Sequence, residues 1–188
     1  EVMVQKIISY SNQSLTDQYK KITLVSDTDP VFESASDSLE QYLIANMTTR
    51  KLYLNKYANN TLFTTDLIDT MNQGALILNY IGHGSTNLWT SRSLFDTSTL
   101  SQVNNTGSDF LLLTFDCLDG YFLNLDSQYE SLAETFVREE NSGAVAALSP
   151  SGMGMPSGHR LLGNELYKAL FDDRITQAGA AVLKAKTQ

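Results

Sequence analysis

The chain has 188 residues, enough for one domain with a sizeable core, and its 13 basic against 21 acidic residues leave a formal charge of −8. That balance repels phosphate backbones and anionic lipid, and no run of about 18 apolar residues is present, so nucleic acid and membrane insertion are excluded as expected partners. One cysteine permits no internal disulfide and leaves an inert buried thiol or a reactive one, while 18% charged residues with abundant Asn, Ser and Thr lean toward an extracellular protein.

Val2, Val4, Ile7 and Ile8 predict a short opening helix that breaks at Ser11-Asn12-Gln13-Ser14. Lys21 to Ser26 is a β-branched run stopped by Asp27-Thr28-Asp29-Pro30 and reads as a core strand. Phe32, Leu39, Leu43 and Ile44 mark a helix that Ser36 and Asp37 would start, followed by a strand from Arg50 to Leu54 and a helix led by Thr65 and Asp66. Ala75 to Ile81, Phe110 to Phe115 and Ala144 to Leu148 are near-continuous apolar runs, as expected of parallel strands covered on both faces and central in a sheet. Helical spacing recurs in Asp96 to Val103, Tyr129 to Glu140, Arg160 to Phe171 and Ile175 to Lys184. The alternation predicts a single α/β domain over residues 1–188, with about five mostly parallel strands between helices on both faces.

In such a sheet ligands bind beyond the carboxyl ends of the strands. Three unusual loops open there: Gly82-His83-Gly84-Ser85, Asp116-Cys117-Leu118-Asp119-Gly120, and Ser149-Pro150-Ser151-Gly152-Met153-Gly154. Alone, His83 is as well explained by an exposed turn, and Cys117 by a small buried hydrophobe. Together they end two apolar strands one helical connection apart, where an imidazole can take a thiol proton and the thiolate can attack a carbonyl. The backbone N–H groups of Gly84 and Cys117 are candidate donors to the resulting oxyanion.

At these residues the chain resembles the gingipain-type cysteine peptidases, family C25, which share the caspase-like fold. The resemblance lies in YIGHGS at Tyr80 to Ser85 with Trp89 beyond it, TFDCLDGYF at Thr114 to Phe122, Lys21 to Leu39, Ser131 to Ser151, and GAAVLKAK at Gly179 to Lys186. It implies a three-layer sandwich and a secreted or cell-surface bacterial cysteine endopeptidase acting on protein or peptide substrates. His83 and Cys117 would be the dyad and Gly84 an oxyanion-hole donor, with no organic cofactor. It also implies that the chain is incomplete at both ends, so that any acidic third member or substrate-pocket acid located upstream would fall outside it. One departure is Asp116, directly before the nucleophile, where the best-known members carry a small residue; strand alternation should turn it away from Cys117.

The Ser149 to Gly158 loop reads as a wall of the substrate cleft, with Ser149, Ser151, Met153 and Met155 as contacts. Its glycines miss a dinucleotide fingerprint by one residue, and Pro156 removes a donor. Trp89 either stacks on substrate or anchors its loop; Asp119 either orients His83 or makes a local turn; His159, beside Arg160, reads as a solvated or capping residue rather than a rival base. His83 and Cys117 lack the paired spacing of a zinc site, and Asp27 and Asp29 read as a solvated strand-end turn in preference to a structural calcium site. Rival readings are a sorting-signal peptidase or transpeptidase of the same family, a non-catalytic binding domain, and a nucleotide-binding domain.

Overall fold

The computed structural model of the chain describes residues 1–13, 17–90, 94–123 and 130–188. Ser14 and Tyr129, at the edges of two expected segments, lie outside them. The strands run in chain order as β1 (Lys21–Ser26), β2 (Thr48–Tyr53), β3 (Ile77–Ile81), the very short β4 (Gly84–Ser85), β5 (Leu88–Trp89) and β6 (Phe95–Asp96), then β7 (Phe110–Phe115) and β8 (Ala144–Leu148). The five long ones pair in parallel, in the order β2-β1-β3-β7-β8. The chain leaves β1 toward β2 on one side and returns to β3 on the other, so the switch point of the sheet lies between β1 and β3.

The central strands β1, β3 and β7 are buried on both faces, and period-two alternation sends their successive side chains to different layers. Leu78, Tyr80, Phe110 and Leu112 join one core with α3 (Asn60–Asn72) and α5 (Leu132–Arg138). Ile77, Ile81, Leu113 and Phe115 join the other with α2 (Pro30–Leu39), α6 (Pro156–Tyr167) and α7 (Ala178–Lys186). The result is the expected three-layer α/β sandwich. The opening helix α1 (Val2–Asn12) packs beside β8 and α5, held by the buried Lys6, whose ammonium donates to the carbonyls of Phe136, Ser142 and Ala144.

Several expectations are corrected. The β8 strand is an edge strand, with Ala146 and Ala147 exposed, because the described sheet has no neighbour beyond it. The α2 helix begins at Pro30, not near Ser36: Pro30 sits in the first turn and the Asp29 side chain accepts from Val31 N–H, whereas Ser36 is buried against Ser26. Asn59, not Thr65, caps α3. The helix expected over Asp96 to Val103 shrinks to one turn, α4 (Thr97–Leu100), because β4, β5 and β6 take up the preceding residues as a small antiparallel sheet. The first strand of that sheet starts directly after His83.

Candidate active site

The β3 and β7 strands are hydrogen-bonded neighbours whose last partners are Ile81 and Phe115. His83 and Cys117 each come two residues later, so both leave the sheet at adjacent carboxyl ends, beside the switch point. Gly82 N–H still reaches the Phe115 carbonyl at 3.4 Å, extending the ladder to the edge of the site.

The His83 side chain is exposed, with its backbone pinned from three sides. Its carbonyl accepts from Tyr80 Oη at 2.6 Å and from Thr90 N at 2.8 Å, and its N–H donates to Asp27 Oδ2 at 3.3 Å. The Phe32 ring meets the imidazole edge-on, with centroids 5.2 Å apart. Asp27, at the end of β1, is 4% exposed and was not singled out from the sequence as part of this site. It holds the His83 backbone rather than its ring. Asp27 and Asp29, read from the sequence as a strand-end turn with calcium as the alternative, both accept backbone N–H groups, and no cluster of three His, Cys, Asp or Glu side chains suited to a metal occurs among the described residues.

Cys117 is partly exposed, and Leu118 comes after it in left-handed backbone at φ 65°, a strained conformation for a leucine that turns the chain sharply after the sulfur. The loop is bolted to the one after β8: Leu118 N donates to Gly152 O at 3.1 Å and Gly120 N to Pro150 O at 3.0 Å. Gly154 N–H points at Cys117 Sγ at 3.5 Å, a donor suited to negative charge on sulfur, and the Gly154 carbonyl lies 3.9 Å from the same atom. Glycine is needed at 154 because a Cβ there would overlap the His159 imidazole.

His159 therefore turns inward, contrary to the solvated role expected for it. It is half-buried beside Gly154 and Phe115, and burial lowers its pKa, leaving it neutral at pH 7 despite the Phe115 carbonyl acting the other way. Ser151 and Met153 are exposed on the loop beside Cys117, Met153 at 80%. Ser149 instead turns beneath it, hydrogen-bonded to Thr114 and Asp119.

Trp89 has no free face for substrate. It is 1% exposed, stacks on Tyr80 at 4.4 Å and donates Nε1–H to Asp119 Oδ2 at 2.8 Å, so it anchors its loop. Asp119 is thereby occupied by Trp89, Thr114 and Ser149 rather than by the His83 ring. Asp116 is buried under the His83 loop, so close to Gly84 that a Cβ at Gly84 would overlap its carboxylate.

The Asp116 oxygens are buried and find no donor among the described residues, and the carboxyl interacts with that of Asp119. Two such acceptors fit together only with a proton between them. Burial pushes both upward, Asp119 to about 6 and Asp116 well above its ordinary value, where the charges of Asp119 and Cys117 add to the effect. From the sequence Asp116 was expected to turn away from Cys117 and Asp119 either to orient His83 or to make a local turn; their mutual interaction was not legible there.

The sequence profile of peptidase family C25 matches residues 1–188. A crystal structure of the Arg-specific cysteine proteinase gingipain R superimposes with a TM-score of 0.75 at 17% identity, covering 97% of this chain and 49% of that one. The complex of Porphyromonas gingivalis RgpB pro- and mature domains gives 0.73 at 20% identity, covering 90% and 42%. A third structure, described only as a protease, gives 0.75 at 19% identity, covering 90% and 41%. The chain thus spans less than half the length of these structures, and the likeness establishes the fold. No curated protein matches.

Proposed function

The chain belongs to peptidase family C25, and from that membership we propose that it carries the nucleophile and base of a secreted or cell-surface cysteine endopeptidase. The observation that carries the reading is the in-register pairing of Ile81 with Phe115, which sets His83 and Cys117 on adjacent strand ends.

His83 takes the proton of the Cys117 thiol, and the sulfur attacks the peptide carbonyl carbon, forming a C–S bond and an oxyanion. Backbone N–H groups of Gly84 and Cys117 receive that charge. Collapse breaks the C–N bond as His83 returns the proton to the leaving amine. Water, deprotonated by His83, then attacks the thioester; the C–S bond breaks, a carboxylic acid leaves and the thiol is restored. His159, neutral and turned toward Gly154, lines the site rather than serving as the base. The arginine specificity of gingipain R remains a property of that protein.

The test is covalent. An irreversible thiol-directed peptide inhibitor is expected to label Cys117 as read by peptide mass mapping, Cys117→Ala to abolish proteolysis, and His83→Ala to lower turnover about 10²–10⁴-fold. Full proteolysis by Cys117→Ala, with no label at that position, would sink the reading.

A further inference from the structure

A cavity of about 430 Å³ opens between the first turns of α2 and α6, within the roughly 300–1,000 Å³ range of small-ligand pockets. Its floor is Ile81 and Phe115, the strand partners that lead into His83 and Cys117. One wall includes Phe32, whose ring packs on His83, and the opposite wall includes His159, whose ring lies against Gly154 beside the sulfur. The cavity therefore lies one packed side chain from each proposed catalytic group, with Phe32 between it and His83, and His159 and Gly154 between it and Cys117.

We propose that this cavity takes the side chain on the acyl side of the scissile bond and selects a bulky, uncharged apolar one, of the leucine, methionine or phenylalanine class, against arginine and lysine. The inference rests on the reading of Cys117 as nucleophile. The floor is apolar, and no carboxylate lines the cavity among the described residues. Glu33, between the lining residues Phe32 and Ser34, is not itself part of the lining and has one carboxylate oxygen 3.5 Å from Lys56 Nζ, while Asp27 and Asp29 are engaged with the backbone N–H groups of Thr28, His83 and Val31. A guanidinium or ammonium entering here would lose its water without gaining a counter-ion, and the exposed Arg160 on the lining would repel it. His159 is held neutral by burial and adds no opposing charge. An apolar side chain on the lining is also open to solvent, Val31 being 48% exposed, which fits an apolar ligand better than bulk water. Ser157, in the first turn of α6, is the lining position from which a carboxylate would reverse the preference.

The experiment separates the pocket from the chemistry. The full chain carrying Cys117→Ala is titrated, by fluorescence anisotropy, with labelled peptides differing only in the acyl-side residue: Leu, Phe, Arg or Asp. Leu and Phe peptides are expected to bind at least about ten-fold more tightly than Arg. Equal affinities, tighter binding of Arg or Asp, or no measurable binding of Leu and Phe overturns the proposal. Adding Ser157→Asp is expected to raise Arg binding relative to Phe by about ten-fold or more, and an acid near a helix N-terminus favours the fold. An unchanged ratio in a variant with the parental circular dichroism removes Ser157 from the specificity pocket. Selective binding without inhibitor labelling of Cys117 would sink the peptidase reading and leave the pocket; labelling with an arginine preference would do the reverse.

Discussion

Trp89 and Asp119 are joined by a 2.8 Å hydrogen bond between the indole N–H and a fully buried carboxylate, which ties the His83 loop to the Cys117 loop beneath the sheet end. The small sheet after His83 is therefore anchored to the turn after Cys117.

Trp89→Phe tests that tie. The variant keeps an aromatic ring against Tyr80 but removes one of the donors to Asp119. An expected loss of about 1–3 kcal/mol, measured by chemical denaturation at pH 7, comes from leaving a buried acceptor short of a partner. The parental midpoint and slope would contradict the tie.

The Asp116–Asp119 pair predicts an inverted pH dependence. Both carboxyls bind their protons more tightly in the folded chain than in the unfolded one, where aspartate titrates near about 4. Their contribution is fully present below that value and is lost as pH rises through about 6, the Asp119 value, and beyond. Tyr80, Asp27 and Cys117 are the other titratable groups acting around the pair, and none of them brings a cation. Asp116→Asn supplies a permanent N–H donor to Asp119. It is expected to flatten the decline between pH 4 and 8 and to exceed the parent at pH 8 by about 1–3 kcal/mol in urea unfolding. A parental pH profile in the variant would exclude the shared proton.

Gly84→Ala drives a methyl group into the Asp116 carboxylate. Proteolysis and thermal stability are both expected to fall, with an overpacking loss of about 1–3 kcal/mol. Asp116→Ala in the same chain should recover most of the stability, because it removes the overlapping group. Additive losses in the double-mutant cycle would show that the two positions do not meet.

Lys6 is 6% exposed, donates to three carbonyls and lies 3.8 Å from Asp109. Burial lowers the Lys6 pKa and raises that of Asp109. Lys6→Met would leave a buried carboxyl and three carbonyls without their donor, for a loss of about 3–5 kcal/mol. Hydrogen exchange should show α1 opening first; unchanged protection there would contradict this anchoring role.

Local features of the fold were legible because their causes are local. Continuous β-branched or apolar runs, which need cover on both faces, explain why Lys21 to Ser26 and Phe110 to Phe115 are strands with the bounds their sequences suggest. The α5 helix starts at a reciprocal capping box between Ser131 and Glu134, three residues apart. At Asp29 and Asn59 the caps lay several residues before the apolar spacing became regular, so α2 and α3 began earlier than that spacing suggested.

Other features depended on distant partners. Ala144 to Leu148 carries the apolar composition of a central strand but lies at an edge, because strand order is set by how crossovers pack and not by any one segment. His159 turns inward only because Gly154 leaves room for its ring. Asp116 and Asp119 are two acids in a turn until folding removes water from both. By itself the sequence determined that His83 and Cys117 end apolar strands, since hydrophobic periodicity and turn residues act over a few positions. Only the tertiary structure decided that β3 and β7 are neighbours, that Trp89 is an anchor, and that a cavity floored by Ile81 and Phe115 opens near Cys117, because each is a product of long-range packing that brings distant residues into one volume.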